Sequence, residues 1–318
     1  MREVQVGENE SGQRLDKFLQ KYLREASRGF IYKMLRKKNI KLNGSRAGGS
    51  EILSQGDRII FYLSEETFLK FRGEVFSQRY PVKKLEVLYE DAHIALINKP
   101  AGMLSQKAKD SDSSLVEYFL GYLQQRGEWQ PGSGFTPGIC NRLDRNTSGI
   151  VIAGKTLPAL QKMSELLRHR TLDKRYITIV SGVMEHPAAI RGYLYKEEKT
   201  NKAYIFREDG PGRSYIETAY EPLAEDGLHT LLAVKLVTGK THQIRSHLSS
   251  IGHPLMGDIK YGGEPLPGGQ RYFLHAGKIR FPELPEPFGA VSESTFVAPL
   301  PPEFIKIKDK FFGEDGMK

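Results

Sequence analysis

The 318-residue sequence contains one cysteine, Cys140. A single thiol cannot build a disulfide framework or a cysteine-based zinc site, so disulfide-rich scaffolds and zinc modules of that kind are excluded. No apolar run approaches the roughly 20 residues that a membrane-spanning helix needs, and the segment from Met1 to Gln5 has no apolar signal core. The chain is therefore expected in the cytoplasm, without a membrane partner.

Acidic residues are in the minority. The sequence has 38 Asp and Glu against 47 Lys and Arg, which gives a formal net charge of +9. A basic balance favours a polyanionic partner, and nucleic acid is the commonest one. The hydrophobic fraction of 39% is still large enough for a sizeable core, and the length suits one large domain with a smaller one.

Cofactor and metal motifs are also missing. Gly239-Lys240-Thr241 resembles the end of a phosphate-binding loop, but Val234 stands where that loop requires its first glycine. Gly132-Ser133-Gly134 lacks the third glycine of a dinucleotide-binding turn. His242 and His247 are five residues apart, which does not suit two metal ligands one helical turn apart. The sequence predicts neither a cofactor nor a metal site.

The first 65 residues predict a small α+β unit. Apolar residues at helical spacing predict a helix that begins near Arg14, and Ser27 is a typical N-cap for a second helix. Asn43-Gly44 predicts a tight turn after a short strand, and Arg58 to Leu63 predicts a further strand. The segment from Glu65 to Lys84 lacks a clean period and is expected to be a linker.

This front unit is strongly basic, because its segment 21–46 has one acid, Glu25. The positive residues of that segment are Lys21, Arg24, Arg28, Lys33, Arg36, Lys37, Lys38, Lys41 and Arg46. A unit with so small a core must expose most of them, where they could contact phosphates. A merely solvated basic face is the alternative.

The segments Arg14-Leu15-Asp16-Lys17-Phe18-Leu19, Ser27-Arg28 and Lys41-Leu42-Asn43-Gly44 resemble the S4 RNA-binding domain. One departure is Lys38-Asn39, where that family usually turns with a glycine. The resemblance implies that basic side chains of this unit bind RNA. The candidates are Arg14, Lys17, Arg28, Lys33, Arg36, Lys37 and Lys41.

The rest of the chain alternates hairpins with irregularly spaced helices. This succession predicts a larger α+β domain whose mostly antiparallel or mixed β-sheet is flanked by helices, and not a doubly wound parallel sheet. The expected division is an S4-like domain over 12–70, a linker over 71–84 and this larger domain, for which the motifs below imply catalysis, over 85–310. The tail after Pro301 is expected to fray because it looks polar.

Three residues are candidates for chemistry. Asp144 lies between Arg142 and Arg145, just before an apolar run that begins at Ile150. Tyr176 lies on a predicted strand, and Arg245 borders the apolar stripe of a predicted helix. From the residues alone, Asp144 could equally form a loop salt bridge, Tyr176 could be a core aromatic and Arg245 a surface cation.

The segment Asn141-Arg142-Leu143-Asp144-Arg145-Asn146-Thr147-Ser148-Gly149 resembles the signature loop of the RluA family of pseudouridine synthases. Further matching segments follow in the order of that family. They are Asn98-Lys99-Pro100-Ala101-Gly102, Lys174-Arg175-Tyr176, Gly239-Lys240-Thr241-His242-Gln243-Ile244-Arg245, Gly252-His253-Pro254-Leu255 with Gly257-Asp258, and Leu274-His275-Ala276. Asn141 and Asn146 depart from the family, which usually has histidine and frequently an acid at these positions.

The resemblance implies the pseudouridine synthase fold and the isomerisation of uridine to pseudouridine in RNA without a cofactor or a metal. It implies that Asp144 is the nucleophile, that Arg245 pairs with it and that Tyr176 stacks on a base flipped out of the RNA. The implied substrate-binding residues are Arg142, Leu274, His242 and Lys99.

The expected substrate is large-subunit ribosomal RNA, with transfer RNA as the rival within the class, and the protein is expected to be a monomer. An RNA-binding assembly factor with an inactive pocket is an alternative of another class. The intact set of Asp144, Tyr176 and Arg245 argues against it. A carboxylate-dependent glycosidase is disfavoured because no second catalytic acid is evident.

Overall fold

The structure is a computed structural model that describes residues 1–73, 79–266 and 271–313. The chain divides into two compact units. The first comprises Met1–Leu96, Gln106–Asn141 and Ile152–Glu165, and the second comprises Ile97–Ser105, Arg142–Val151 and Leu166–Lys318.

The helices are α1 (Leu15–Tyr22), α2 (Arg28–Arg36), α3 (Glu65–Arg72), α4 (Leu115–Gln125), α5 (Leu157–His169), α6 (Gln243–Ser250) and α7 (Pro302–Phe312). The strands are β1 (Arg2–Gln5), β2 (Ile40–Leu42), β3 (Ser45–Arg46), β4 (Arg58–Phe61), β5 (Val87–Glu90), β6 (Ile94–Lys99), β7 (Gly138–Ile139), β8 (Ser148–Gly154), β9 (Asp173–Ser181), β10 (Ala188–Glu197), β11 (Lys202–Phe206), β12 (Ser214–Glu225), β13 (His229–Leu236), β14 (Leu274–Arg280) and β15 (Thr295–Val297). Among the described residues, no helix has both the length and the apolar character that crossing a membrane requires.

The front of the first unit has the predicted α+β architecture. Its sheet has the order β1-β4-β2-β3. The apolar faces of α1 and α2 contribute to one buried cluster that includes Phe18, Ile31 and Phe61. The Ser27 hydroxyl accepts a hydrogen bond from the Phe30 N–H at 3.2 Å, which confirms the predicted N-cap of α2.

The turn between β2 and β3 also forms as predicted. Asn43 and Gly44 both have positive φ, at 51° and 76°, as a two-residue hairpin turn of the favoured hand requires. At the departure from the S4 pattern, Lys38 adopts φ 62°. Lys38 thus adopts the left-handed conformation that a glycine would adopt more readily, so the backbone turns at this position without a glycine.

Part of the expected linker is helical. The Ser64 hydroxyl accepts from the Thr67 N–H at 3.2 Å and caps α3, whose Phe68 is buried in the front cluster. Leu69, next to the buried Phe68, is 54% exposed, so the apolar residues of this segment do not all lie on its buried face. This explains why the sequence pattern did not indicate the helix. Residues 74–78 of the expected linker lie outside the described residues.

The second unit contains a mixed sheet, as predicted. Its strand order is β11-β10-β12-β13-β9-β14-β8, and β15 pairs with β14. The described pairs in this run are antiparallel, except that β14 runs parallel to β8. The strands β10 and β11 are absent from the predicted elements. Tyr195 and Tyr204 lie opposite each other on them and are both 41% exposed, so the strands carry fewer buried residues than the inner ones.

The expectation that the tail frays is wrong for residues 302–312, while residues 314–318 lie outside the described residues. Residues Pro302–Phe312 form α7, and Phe304 is 1% exposed. Phe304 belongs to a buried cluster with Ile179, Leu231 and Met256, and Phe311 packs against that cluster. Burial of these aromatic rings holds the last helix to the sheet.

Candidate active site

Asp144 lies in the loop that leads into β8, and the backbone beside it is fixed. The Ser105 hydroxyl donates to the Leu143 carbonyl at 2.7 Å and accepts from the Leu143 N–H at 3.0 Å. The Thr147 N–H donates to the Asp144 carbonyl at 3.1 Å and closes a turn. The Asp144 side chain remains 22% exposed, so a carboxylate in a rigid loop is open to a ligand.

Gly149 explains how this loop can join a buried strand. It has φ 108°, and a β-carbon at this position would lie 2.3 Å from the Ala276 carbonyl oxygen. Only glycine allows β8 to approach β14 so closely. The close approach fixes the start of β8 at Ser148, and thereby fixes the end of the loop that carries Asp144.

Arg245, on α6, lies between two acids. Its Nε and Nη2 donate to the two carboxylate oxygens of Asp258 at 2.6 and 2.9 Å. Its Nη1 donates to Asp144 Oδ2 at 3.2 Å. The planar guanidinium can serve both acids at once, which the single ammonium of a lysine could not do in this geometry. Arg245 thus pairs with Asp144, while Asp258 supplies its bidentate partner.

The charge of Arg245 is secure although only 7% of its side chain is exposed. Burial opposes the charged form, but the hydrogen bonds that Arg245 donates to Asp258 and the negative charges around it raise the pKa of Arg245 above its ordinary value. The guanidinium carbon also lies 4.3 Å from the ring centroid of Tyr272 and 4.9 Å from that of Tyr261. Asp144 therefore faces a cation that stays charged throughout the accessible pH range.

His242 lies near the same oxygen of the Asp144 carboxylate that Arg245 binds. Its Nε2 is 3.8 Å from Asp144 Oδ2, and its Nδ1 is 2.8 Å from the Tyr261 hydroxyl. Burial lowers the pKa of His242 to about 4, with Asp144 opposing that shift and Arg245 adding to it. The imidazole is neutral at pH 7.

Lys99 is fully buried and its ammonium donates to three backbone carbonyls. They belong to Pro100 at 2.9 Å, Met103 at 2.9 Å and Arg145 at 3.2 Å. The Gly102 N–H donates to the same Arg145 carbonyl at 2.8 Å. The side chain joins the loop after β6 to the residue that follows Asp144, so we infer that any effect of Lys99 on substrate binding passes through this loop.

Burial lowers the pKa of Lys99 to about 7, with Asp144 opposing the shift. A lysine that binds its proton less tightly in the folded than in the unfolded state costs stability at low pH, and this cost falls as the pH rises from about 7 towards the ordinary value near 10.5. Between pH 7 and 9 the free energy of unfolding should therefore rise by about 2 kcal/mol relative to a Lys99→Met variant. Urea titrations of both proteins at several pH values measure the difference, and parallel pH dependences would contradict it.

Tyr176 and Leu274 lie on neighbouring strands of the second unit. Tyr176 is on β9, two residues before Thr178, and Leu274 on β14 lies opposite Thr178. The two side chains therefore point to the same face of the sheet. Tyr176 is 6% exposed, and burial together with the charge of Asp144 raises the pKa of its hydroxyl. Tyr176 and Leu274 thus form an apolar surface, and Tyr176 is close enough to Asp144 to be affected by its charge.

The other predicted residues of the signature loop have distinct environments. Arg142 is exposed. The Asn141 side-chain oxygen accepts from the Ile152 N–H at 2.8 Å, and the Asn146 oxygen accepts from Arg271 at 3.2 Å. Both departures from the family pattern thus make local contacts that support the loop and strand β8.

The predicted RNA-binding residues lie in the first unit, on α1, α2 and β2 and next to them. Lys17, Arg28, Lys33, Arg36 and Lys37 are exposed. The exposed Arg14 is bound by both oxygens of Asp16, at 3.0 and 3.1 Å. Lys41 is half-buried with its ammonium 5.0 Å from the ring centroid of Tyr62. Arg28 is also 5.7 Å from the ring centroid of Tyr32. The structure thus leaves five of these seven cations exposed, while Arg14 is paired with an acid and Lys41 is half-buried.

Asp258 and Tyr261 are residues of this site that the sequence does not assign. Asp258 belongs to a segment that resembles the family, yet nothing in its spacing identifies it as the main partner of Arg245. Tyr261 follows three residues later and contacts both Arg245 and His242. The sequence signal was an acid next to a glycine, Gly257-Asp258, but the partner of this acid could be found only from the fold.

Comparison with known proteins identifies two families. Residues 93–250 match the model of the RNA pseudouridylate synthases, and residues 13–59 match that of the S4 domain. The first match contains Lys99, Asp144, Tyr176, His242 and Arg245, and the second contains the exposed cations of α2.

Several curated relatives span almost the whole chain. The ribosomal large subunit pseudouridine synthase C of Pasteurella multocida is 32% identical over 95% of this chain and 91% of its own length. Its namesake in Escherichia coli K12 is 30% identical over 87% and 88%. An uncharacterised RNA pseudouridine synthase of Mycoplasma pneumoniae is 31% identical over 85% of each chain.

A solved structure has the same fold. Human RNA pseudouridylate synthase domain containing 4 aligns with a TM-score of 0.58 and 21% identity, over 71% of this chain and 92% of that one. The mixed α+β fold with an S4 domain in front is therefore confirmed, and RNA is the partner class of the protein. The chain belongs to the RNA pseudouridylate synthases and is an isomerase of their RluA type.

Proposed function

We propose that this protein isomerises uridines of large-subunit ribosomal RNA and that Asp144 is the nucleophile. The observation that carries the proposal is the ion pair between Asp144 and Arg245, which lies in the part of the chain that matches the synthases. The carboxylate is paired with a buried guanidinium, held in a rigid loop and still 22% exposed. These are the properties that a carboxylate nucleophile needs.

The neighbouring groups suit the reaction as well. A covalent bond to the Asp144 carboxylate would divide the exchange of a C–N bond for a C–C bond into two steps. Arg245 would hold the carboxylate in the attacking orientation throughout. The new C–C bond displaces a hydrogen from carbon 5 of the uracil, and the freed ring nitrogen gains one, so the exchange balances with neither oxidation nor reduction of the base and without a second reactant.

Tyr176 would stack on the target base after it leaves the RNA helix, with Leu274 as a further apolar contact. The exposed Arg142, two residues before Asp144, could enter the space that the base leaves or bind a phosphate. We further propose the division of the chain at 12–70, 71–84 and 85–310, a monomeric state and a cytoplasmic location.

Ribosomal RNA is favoured over transfer RNA because two of the relatives above carry the large ribosomal subunit in their names. The test is to map pseudouridine in ribosomal and transfer RNA from cells with and without the gene. We expect one or more sites to disappear from the large-subunit RNA and to return with the wild-type gene but not with an Asp144→Asn copy. Loss confined to transfer RNA would overturn the substrate assignment. Loss of no site would favour the assembly-factor alternative.

The exposed cations of α2 are proposed to bind RNA phosphates. Removing one cation that binds a phosphate should reduce the slope of log K against log salt by about 0.7 to 0.9, so the double variant Lys33→Gln, Arg36→Gln should reduce it by about 1.5. Filter binding of ribosomal RNA fragments between low and moderate salt measures the slope.

A matched control is available on α7, where Lys306 and Lys310 are also exposed and lie four residues apart. The variant Lys306→Gln, Lys310→Gln removes the same charge and should leave the slope unchanged. Equal slopes for the two double variants would mean that α2 supplies net charge only and does not bind phosphates directly.

A further inference from the structure

A hydrogen-bonded chain leads from the protein backbone to His242, whose ring lies next to the carboxylate of Asp144. The Ala203 N–H donates to the Tyr261 hydroxyl oxygen at 2.8 Å. The same hydroxyl is 2.8 Å from His242 Nδ1, and His242 Nε2 lies 3.8 Å from Asp144 Oδ2. The chain is well shielded, since Tyr261 is 6% exposed and the His242 side chain 9%.

The direction of the first bond is fixed because a backbone N–H can only donate. Tyr261 therefore keeps its single hydrogen for another acceptor, and His242 Nδ1 is the nearest one given by the geometry. In a neutral imidazole that accepts at Nδ1, the proton is on Nε2. The opposite tautomer would aim the Nε2 lone pair at the negative carboxylate of Asp144, which is electrostatically unfavourable.

The doubly protonated ring is also disfavoured. Burial lowers the pKa of His242, and the nearby cations Arg245 and Lys260 lower it further. The nearby acids Asp144 and Asp258 oppose this shift without cancelling it. The favoured state is therefore a ring that is neutral at pH 7, accepts from Tyr261 at Nδ1 and is protonated at Nε2.

The backbone holds this ring in place as well. His242 adopts φ 58°, a left-handed conformation that is costly for a residue with a side chain and that recurs at functional sites. Its carbonyl accepts from the Ser246 N–H at 2.9 Å. The next residue, Gln243, is 2% exposed and accepts from the Thr238 hydroxyl at 2.8 Å and the Lys240 N–H at 3.1 Å.

A distance of 3.8 Å is too long for a hydrogen bond between Nε2 and Asp144. The Nε2–H is therefore available to a ligand that enters next to the carboxylate. When the bond between uracil and ribose breaks, the base retains the electron pair and its carbonyl oxygens gain negative charge. A neutral N–H fixed beside the nucleophile would stabilise that charge without a prior change of protonation.

We propose that His242 is a further catalytic residue that donates its Nε2–H to a carbonyl oxygen of the detached uracil, and that Tyr261 is a positioning residue that selects this tautomer. No proton is transferred in this step, because His242 only donates a hydrogen bond. The inference rests on the proposed function for the identity of the ligand, but not for the state of the ring.

The state of the ring can be measured without RNA. In long-range ¹H–¹⁵N spectra of the full chain at pH 7, the His242 ring should have a protonated Nε2 and an unprotonated Nδ1. The protein has eight histidines, so the His242 signals are assigned as those missing from a His242→Gln variant. In a Tyr261→Phe variant the pattern should change to a mixture of tautomers.

Activity provides the second measurement, with a large-subunit ribosomal RNA transcript as the substrate. His242→Leu removes the donor and should lower kcat by about 10²-fold to 10³-fold. His242→Gln retains an N–H donor near the Nε2 position and should remain within about tenfold of the wild type. Tyr261→Phe should lower kcat by about tenfold with KM within about twofold, since it disturbs the donor and not the binding surface.

Tyr122→Phe is the control for loss of a hydrogen-bonded tyrosine hydroxyl outside the site, because the half-buried Tyr122 donates to Glu90 at 2.7 Å in the first unit. It should leave kcat unchanged. If Tyr261→Phe fails to fold, the wild-type spectrum and the two His242 variants still decide. An Nδ1–H tautomer or an imidazolium in the wild type at pH 7 overturns the inference, and so does full activity of His242→Leu. If instead the proposed RNA substrate is wrong, the His242 spectrum should still be as described, but the wild type should be inactive on the ribosomal RNA transcript.

Discussion

The Asp144→Asn variant is expected to bind RNA like the wild type and to lose isomerisation by a factor on the order of 10⁴ or more. The amide has the size of the carboxylate but neither its charge nor its nucleophilicity. Single-turnover formation of pseudouridine on a ribosomal RNA transcript measures the loss, and filter binding measures the affinity.

The fold should tolerate this change. Arg245 keeps both hydrogen bonds to Asp258, and the Asp144 carboxylate is partly exposed, so removal of the ion pair should change the free energy of unfolding by no more than about 1 kcal/mol. Asp110→Asn, which removes an exposed acid, is the control and should have wild-type activity. Isomerisation at the wild-type rate by Asp144→Asn would exclude the carboxylate as nucleophile.

The local elements of the fold could be predicted from the sequence because their signals are local. Ser27 caps α2 and Asn43-Gly44 turns between β2 and β3 through contacts within a few residues. The last helix had a usable signal as well, since Phe304, Lys308 and Phe311 follow helical spacing. Lysines at its exposed positions gave the segment a polar average, which hid the apolar stripe that packs on the sheet.

The site could be predicted only in part, because its contacts join distant residues. Asp144 and Arg245 are 101 positions apart, and no period or spacing could show that they meet. A resemblance between whole segments indicated both residues, and the geometry of the ion pair agrees with that indication. The bidentate bond to Asp258 and the contact between Tyr261 and His242 depend on how the segment 255–261 returns to α6, which is a property of the tertiary fold.

The Arg245–Asp258 pair should have the largest effect on stability of any contact in the site. Arg245→Met leaves the Asp258 carboxylate buried without its cation, and Asp258→Asn removes the two charged hydrogen bonds that orient Arg245. Each change should lower the free energy of unfolding by about 3 to 5 kcal/mol, the usual cost of breaking a buried ion pair from one side. Urea titration at pH 7 measures the loss, and both variants should also lose isomerisation by about 10²-fold or more.

The double variant Arg245→Met, Asp258→Asn separates the two roles of the arginine. The double variant leaves no uncompensated buried charge. Its loss of unfolding free energy should therefore be smaller than the sum of the two single losses, by a coupling energy of about 1 to 3 kcal/mol. Its activity should stay as low as that of Arg245→Met, because the cation that orients Asp144 is still missing. Activity that recovers together with stability would mean that Arg245 only neutralises Asp258 and that the carboxylate of Asp144 is held by other contacts.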